Sequence, residues 1–345
     1  MREKHNPNAI TQRRSRGSTS VASPSASLAR VGKLATAPSL GAPLVKVGNI
    51  ATALTSAPPS SVIKSAPLPL GSNVQGAQAL KLDMVHGKEL QVCTLNVRTL
   101  TATGVATLLD KELARLDIGI AGLQEVRWLG SGELSAGDRK FLWSGGPDGG
   151  TRQYGVALAI THRLYSSLLS WKPISDRLLM ARFAHTRGFL SVVVAYAPTE
   201  DSSAADKDTF YRDLDEIFQT IHSRDVRICL GDFNAVSGTD RIPDDQVIGP
   251  FGNGVANDNS DRFVGFCRDN GLRIAGTWFR RKDIYRWSWY SNDGVTRKEI
   301  DHVLVGTRWR ALKGCRVKRS LEIGSDHKPV CATLRLHLKR GQRVI

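Results

Sequence analysis

Leu90-Gln91-Val92-Cys93-Thr94-Leu95-Asn96 is an apolar run that stops on a carboxamide, and Ile118-Gly119-Ile120-Ala121-Gly122-Leu123-Gln124-Glu125 is a second that stops on a carboxylate. Between them Val105, Leu108, Leu109, Leu113 and Leu116 recur at the spacing of one helical face. The stretch therefore reads strand, helix, strand. Each strand ends in a polar side chain.

Outward from this unit, Tyr154 to Thr161, Leu178 to Phe183 and Phe189 to Tyr196 are apolar enough for strands, and the last stops just before Pro198. Phe210, Leu214, Ile217, Phe218 and Ile221 mark a second amphipathic helix. The strand after it, Val226 to Leu230, runs straight into Gly231-Asp232-Phe233-Asn234. A Gly- and Asn-rich loop spans Pro243 to Asn259, and a helix from about Ser260 ends at Gly271. Trp287 to Tyr290, Ile300 to Val305 and Pro329 to Leu336 close the chain as strands. Many strands joined by short turns, with few helices, predict a mixed α/β fold in which two sheets pack face to face with helices outside. Such an arrangement aims strand ends at one common rim. Residues 87–345 are long enough for one large domain of this kind.

Residues 1–86 differ in composition. They hold ten Lys or Arg, two Asp or Glu and no Phe, Trp or Tyr, and they are dense in Ala, Ser, Thr, Pro and Gly. Such a segment buries too little apolar surface to offset the entropy of ordering, so it reads as a disordered basic tail. Of the chain's net charge of +16, half falls on this tail and half on the remainder. A polyanionic partner is the simplest inference. The run Arg13-Arg14-Ser15-Arg16 reads as a nuclear address or a nonspecific DNA tether, and the Arg- and Ser-rich, acid-poor composition gives a mitochondrial transit peptide as the alternative.

No run approaches the ~20 apolar residues needed to cross a bilayer, so no membrane partner is expected. Cys93, Cys229, Cys267, Cys315 and Cys331 are odd in number and form no CxxC pair, which predicts reduced structural thiols and an intracellular setting.

Polar or ionisable residues stand where apolar strands end: Asn96, Glu125, Tyr196, Asp232 with Asn234, Asp301, and Ser325-Asp326-His327 before the final strand. Singly, each has a plain structural reading. Asp232-Phe233-Asn234 is compatible with an Asx turn, Asp326 with a cap, and His327 with a satisfied core histidine. Together they supply what hydrolysis of a phosphodiester needs, namely an aligned water, neutralised phosphate oxygens and a stabilised leaving group. Glu125, with Asp326 or the amide of Asn96 beside it, offers hard oxygen ligands suited to Mg²⁺ or Mn²⁺. Asp301 is placed to hold His327 in one tautomer and raise its basicity. Asp232 is the candidate for orienting the attacking water, and Asn234 and the Tyr196 hydroxyl are candidate donors to the developing charge.

The motifs Leu95-Asn96-Val97-Arg98, Leu123-Gln124-Glu125, Tyr196-Ala197-Pro198-Thr199, Gly231-Asp232-Phe233-Asn234, Ile300-Asp301-His302 and Ser325-Asp326-His327 occur in the order of the endonuclease/exonuclease/phosphatase superfamily. The chain resembles that superfamily, which includes DNase I and the apurinic/apyrimidinic endonucleases, from roughly Glu89 to Leu338. The resemblance implies a four-layer α/β sandwich, two packed mixed β-sheets flanked by helices. It also implies a divalent cation with Glu125 as its main ligand, and Asp301 paired to His327. Gly122 to Trp128, Gly249-Pro250-Phe251-Gly252 and Trp289 to Gly294 carry a closer likeness, to the endonuclease domains of LINE-type non-LTR retrotransposons and to craniofacial development protein 2-like proteins. That likeness implies a retrotransposon-derived enzyme that nicks DNA and leaves a 3′-hydroxyl. A superfamily phosphatase or deadenylase, and a catalytically silent binding module on the same fold, are the alternatives.

Four departures from the pattern stand out. Arg98 replaces an Asp found in many superfamily members, and Tyr154, Glu299 and Gly276 stand where the LINE-like group usually has His, Gln and Asn. Arg98, Arg127, Arg177, Trp289 and Arg297 are the candidates for contact with nucleic acid, since a guanidinium fork suits phosphate oxygens and an aromatic ring can stack on a base.

Overall fold

The computed structural model describes residues 89–185, 188–242, 244–308 and 311–336. The tail at 1–86, with its Arg13-Arg14-Ser15-Arg16 run, lies outside these residues. The first expected unit forms as β1 (Leu90–Asn96), α1 (Val105–Arg115) and β2 (Ile120–Gln124). β3 (Ser131–Ala136), β4 (Arg139–Ser144) and β5 (Val156–Thr161) follow, then the one-turn helix α2 (His162–Tyr165), β6 (Leu168–Ser175), β7 (Leu178–His185) and β8 (Gly188–Tyr196). α3 (Ala204–Thr220) leads to β9 (Val226–Asp232), and α4 (Asp258–Asp269) to β10 (Leu272–Ile274). The chain closes with β11 (Trp289–Tyr290), β12 (Arg297–Lys298), β13 (Asp301–Gly306), β14 (Leu312–Val317) and β15 (Val330–Leu334).

These strands build a seven-stranded sheet in the order β14-β15-β1-β2-β5-β4-β3 and a six-stranded sheet in the order β10-β13-β9-β8-β7-β6, with β11 and β12 as a separate hairpin. β1 and β2 are parallel, as are β8 and β9, and the helices α1 and α3 supply the two crossovers that parallel neighbours require. Every other pairing is antiparallel.

The period of two along each strand sends alternate residues to different layers. Val92, Ile120, Leu158 and Ile160 of the first sheet meet Leu179, Val192, Val194, Ile228 and Leu230 of the second in the central core. Leu95, Leu123 and Ala159 point the other way, onto Leu109 and Leu113 of α1. Val193 and Cys229 likewise face Phe210, Leu214 and Phe218 of α3 and Phe263 and Phe266 of α4. The described residues thus stack as helix, sheet, sheet, helix, a four-layer sandwich. All five cysteines are free and buried. Among the described residues no helix is long and apolar enough to cross a membrane.

β3, β4, β6, β10, β12 and β14 are additional to the strands expected from sequence. β3 and β6 are sheet edges with mostly polar or half-exposed residues, and β6 carries Pro173 and two register irregularities. An edge strand has one unpaired side and little to bury, so its apolar pattern is faint.

Gly122 marks a close approach of the two sheets. A Cβ built there would lie 2.6 Å from Leu230 Cβ of the facing sheet, so only glycine fits. Gly122→Val is expected to destabilise the fold by about 1–3 kcal/mol through overpacking. Denaturant unfolding checks this; a midpoint equal to wild type would show that the sheets part there at no cost.

Candidate active site

Parallel β1 and β2 end at the same rim, with Asn96 opposite Gln124, and parallel β8 and β9 end there too, with Tyr196 opposite Asp232. β13 runs antiparallel to β9 and begins where β9 stops, so Asp301 faces Asp232. Strand direction and register thus place Asn96 at the end of the first sheet and bring Tyr196, Asp232 and Asp301 together at the end of the second.

The buried Asn96 amide links the two sheets. Its Nδ2 donates to Glu125 Oε1 at 2.9 Å and to Asp232 Oδ2 at 3.0 Å. Its Oδ1 accepts the Arg98 backbone N–H at 3.0 Å. The amide therefore presents nitrogen to the carboxylates, whereas the sequence reading had its oxygen as a metal ligand. Glu125 Oε1 also accepts from the Tyr196 hydroxyl at 2.9 Å, and Oε2 accepts from Arg127 Nη2 at 2.8 Å. Burial pushes the Glu125 carboxyl upward, but these three donors outweigh it and hold the group below its ordinary value. Burial and then the Glu125 charge raise the Tyr196 phenol, which stays protonated.

On the second sheet, His327 Nδ1 lies 2.8 Å from Asp301 Oδ2, and Nε2 lies 4.0 Å from Asp232 Oδ2. Burial lowers the imidazole, yet the Asp301 and Asp232 charges prevail and raise it to about 9. Asp232 lies well above the usual carboxylate range, first through burial and then through Asp301, against the opposing pull of His327 and Asn96. Asp232 Oδ1 accepts the Asn234 backbone N–H at 3.0 Å. Asn234 adopts a left-handed φ of 48°, and its Nδ2 donates to Ala197 O at 3.0 Å. That donor braces the neighbouring loop.

Two serine hydroxyls without a predicted role hold the frame. Ser325 Oγ donates to Asn96 O at 2.7 Å and accepts the His327 N–H at 3.0 Å, tying the histidine to the end of β1. Ser288 Oγ accepts the N–H groups of Ile300 and Asp301. The Ser-x-His spacing was the available signal for Ser325; for Ser288 there was none.

Asp326 is separate from this network. Its Oδ2 accepts the Trp289 indole N–H at 3.2 Å, and its Oδ1 faces Arg98 Nε at 3.6 Å. Trp289, bridged in strand fashion to His327, is thereby clasped to the site. Arg177 lies 4.0 Å from the Tyr154 ring centroid and 5.1 Å from that of Tyr196, so the tyrosine that replaces the expected histidine is a shelf for a guanidinium. Arg297 is exposed and stacks on Trp287 at 4.8 Å. The departures at Gly276 and Glu299 meet in one place. Glu299 is ion-paired in the interior with Arg286, and a Cβ at 276 would lie 2.8 Å from Glu299 Oε1.

The donor set fits a hard divalent cation. Asp232, Asp301 and His327 offer ligand atoms within 4.8 Å of one another, and Glu125 joins them through the Asn96 amide. Asp301 Oδ1 is buried without a hydrogen-bond partner, an acceptor that a cation would satisfy. The candidate ligands are carboxylate oxygens, with no thiolate and with the imidazole engaged by Asp301, which is the chemistry of Mg²⁺ or Mn²⁺ sites.

Residues 93–327 match the model of the Endonuclease/Exonuclease/phosphatase family. The chain is 31% identical over 278 residues to craniofacial development protein 2 of Tragulus javanicus, covering 79% of this chain and 48% of that protein. To the Bos taurus protein it is 32% identical over 253 residues, 73% of this chain and 42% of that one. The chain thus spans about half the length of these curated relatives. Among solved structures, the endonuclease domain of TRAS1, a telomere-specific non-LTR retrotransposon, superposes with a TM-score of 0.53 at 15% identity, covering 72% of this chain and 99% of that domain. An AP endonuclease from Archaeoglobus fulgidus gives a TM-score of 0.51 at 19% identity, with 71% and 99% coverage. These likenesses are of fold.

Proposed function

Because this chain belongs to the endonuclease/exonuclease/phosphatase family, we propose that it is a divalent-metal-dependent endonuclease that nicks DNA and leaves a 3′-hydroxyl. One observation carries the reading. A single amide, Asn96, bridges Glu125 on one sheet to Asp232 on the other, with the Asp301–His327 pair facing Asp232 from the same rim. The basic surplus of the chain supports a long polyanion as substrate over a small phosphate ester.

When bound, Mg²⁺ or Mn²⁺ at Glu125, with Asp232 beside it, supplies charge to offset that building on the phosphate oxygens. The remaining roles follow from the residues. His327, protonated and oriented by Asp301, places Nε2–H toward a nonbridging phosphate oxygen. Asp232, held by the Asn234 and Asn96 donors, accepts a proton from the water that attacks, and its raised pKa suits it to that exchange near neutral pH. The Tyr196 hydroxyl keeps Glu125 aligned and remains a neutral donor. Asn234 fixes Asp232 mainly through its backbone. Arg98, Arg127, Arg177 and Arg297 are assigned to the DNA backbone and Trp289 to the positioning of Asp326. The motifs around Glu125 and Trp289 support descent from a retrotransposon endonuclease, and the basic tail supports action in the nucleus, with the mitochondrion as alternative.

Supercoiled plasmid treated with the full chain and Mg²⁺ is expected to become open circular, with ends that a polymerase extends directly; chelator should stop it. Extension only after phosphatase treatment would contradict the 3′-hydroxyl assignment. Binding that persists in chelator, with no nicking under any divalent ion, would favour the silent module.

A further inference from the structure

Glu125-Val126-Arg127 and Asn96-Val97-Arg98 are twin turns at the ends of neighbouring parallel strands. Both arginines take a left-handed backbone, φ 58° at Arg127 and 59° at Arg98, and Glu125 does so too at 54°. Non-glycine residues adopt this region only where surrounding structure enforces it. Here Val97 and Val126 are buried, Val97 N–H donates to Gln124 O, and Leu100 N–H donates to Val126 O, so the two turns are pinned to each other. The backbone is fixed and the guanidiniums at the rim are the movable parts.

Arg127 grips Glu125 with one prong. Nη2 is 2.8 Å from Oε2, while its Nε is buried with no acceptor, so the bidentate fork that makes arginine–carboxylate pairs strong is incomplete. The arginine side chain is 38% exposed, and an ion pair open to solvent on one side is held weakly. Glu125 is the carboxylate assigned above to a divalent cation, and Oε2 is its oxygen not already engaged by Asn96 and Tyr196. A guanidinium and a doubly charged ion cannot share one carboxylate oxygen without strong mutual repulsion.

We propose that Arg127 is an exchangeable counter-ion: a divalent cation displaces it from Glu125, and the freed guanidinium turns onto a DNA phosphate beside the bond to be cut. Cation binding and DNA binding are thereby coupled, each strengthening the other by the same factor. The proposal rests on Glu125 as cation ligand. Arg98 is the matched control, because it sits in the twin turn but faces Asp326 at 3.6 Å, a carboxylate outside the cluster.

The first test is Mn²⁺ affinity of the full chain, read by electron paramagnetic resonance of the free ion. Arg127→Gln is expected to tighten Mn²⁺ about tenfold, Arg98→Gln less than about twofold, and Glu125→Gln to weaken it at least about tenfold. If Glu125→Gln binds Mn²⁺ as wild type does, the ligand assignment fails. Where it loses Mn²⁺ but Arg127→Gln is unchanged, the ligand assignment stands and the exchange is wrong. Equal tightening by Arg98→Gln and Arg127→Gln would reduce the effect to a general field and overturn it as well. The second test is anisotropy of a short fluorescein-labelled duplex in a His327→Ala background. Mn²⁺ should tighten DNA binding several-fold, and adding Arg127→Gln should remove that gain; a gain that survives overturns the transfer to phosphate.

Discussion

Replacing His327 with alanine is expected to slow plasmid nicking about a thousandfold or more while DNA remains bound, since the imidazolium is the cation assigned to the developing phosphate charge. Its two neighbours make the prediction specific. With Nδ1 on Asp301 and Nε2 toward Asp232, the histidine is the positive centre between two buried carboxylates. Activity is expected to decline on the alkaline side as the imidazole loses its proton near about 9. The stability effect has a definite sign. A histidine raised in the folded state contributes stability that is complete below its ordinary value of about 6.5 and is lost as pH rises through the folded value. Asp301→Asn keeps the shape but removes the charge, so the alkaline limb should move to lower pH. Rates measured across pH for wild type and Asp301→Asn check this; an unmoved limb would assign it to another group.

Much of the site is readable from sequence because apolar runs stop on polar side chains where strands end. Asn96, Glu125, Tyr196, Asp232 and Asp301 are visible in this way. Lateral register is not. Asn96 and Asp232 lie 136 positions apart and meet on one hydrogen bond because β1 and β9 belong to facing sheets. Which end of the Asn96 amide faces the carboxylates depends on the Arg98 N–H that holds its oxygen, a backbone detail of a left-handed turn. Asp326 looked like a third metal ligand beside His327, yet it lies in the bend ahead of β15 and turns to Trp289 instead. Arg127 looked like a DNA contact, and its grip on Glu125 follows from two left-handed residues that flank a buried valine. The unexpected strands are largely those with solvent on one side, where little burial leaves little pattern.

The largest loss is expected at Glu125, because three donors from separate elements converge on its carboxylate: Asn96 from β1, Tyr196 from β8 and Arg127 from its own turn. Glu125→Gln preserves volume but offers one acceptor oxygen and an amide group that faces donors. At least one buried donor is then unpaired, which costs about 1–3 kcal/mol of stability. Nicking is expected to fall more than about a thousandfold, beyond what that destabilisation produces, since both the cation's main anchor and the alignment of Asn96 are lost. Tyr196→Phe separates the two contributions. It removes one donor to Oε1 and leaves the charge, so nicking should drop about ten- to a hundredfold with Mn²⁺ affinity near wild type. Thermal melts identify the stability part in each variant. If Tyr196→Phe proved as damaging as Glu125→Gln at equal foldedness, the phenol itself would be the reacting donor and Glu125 its positioning partner, reversing the assignment that the bridging amide of Asn96 supports.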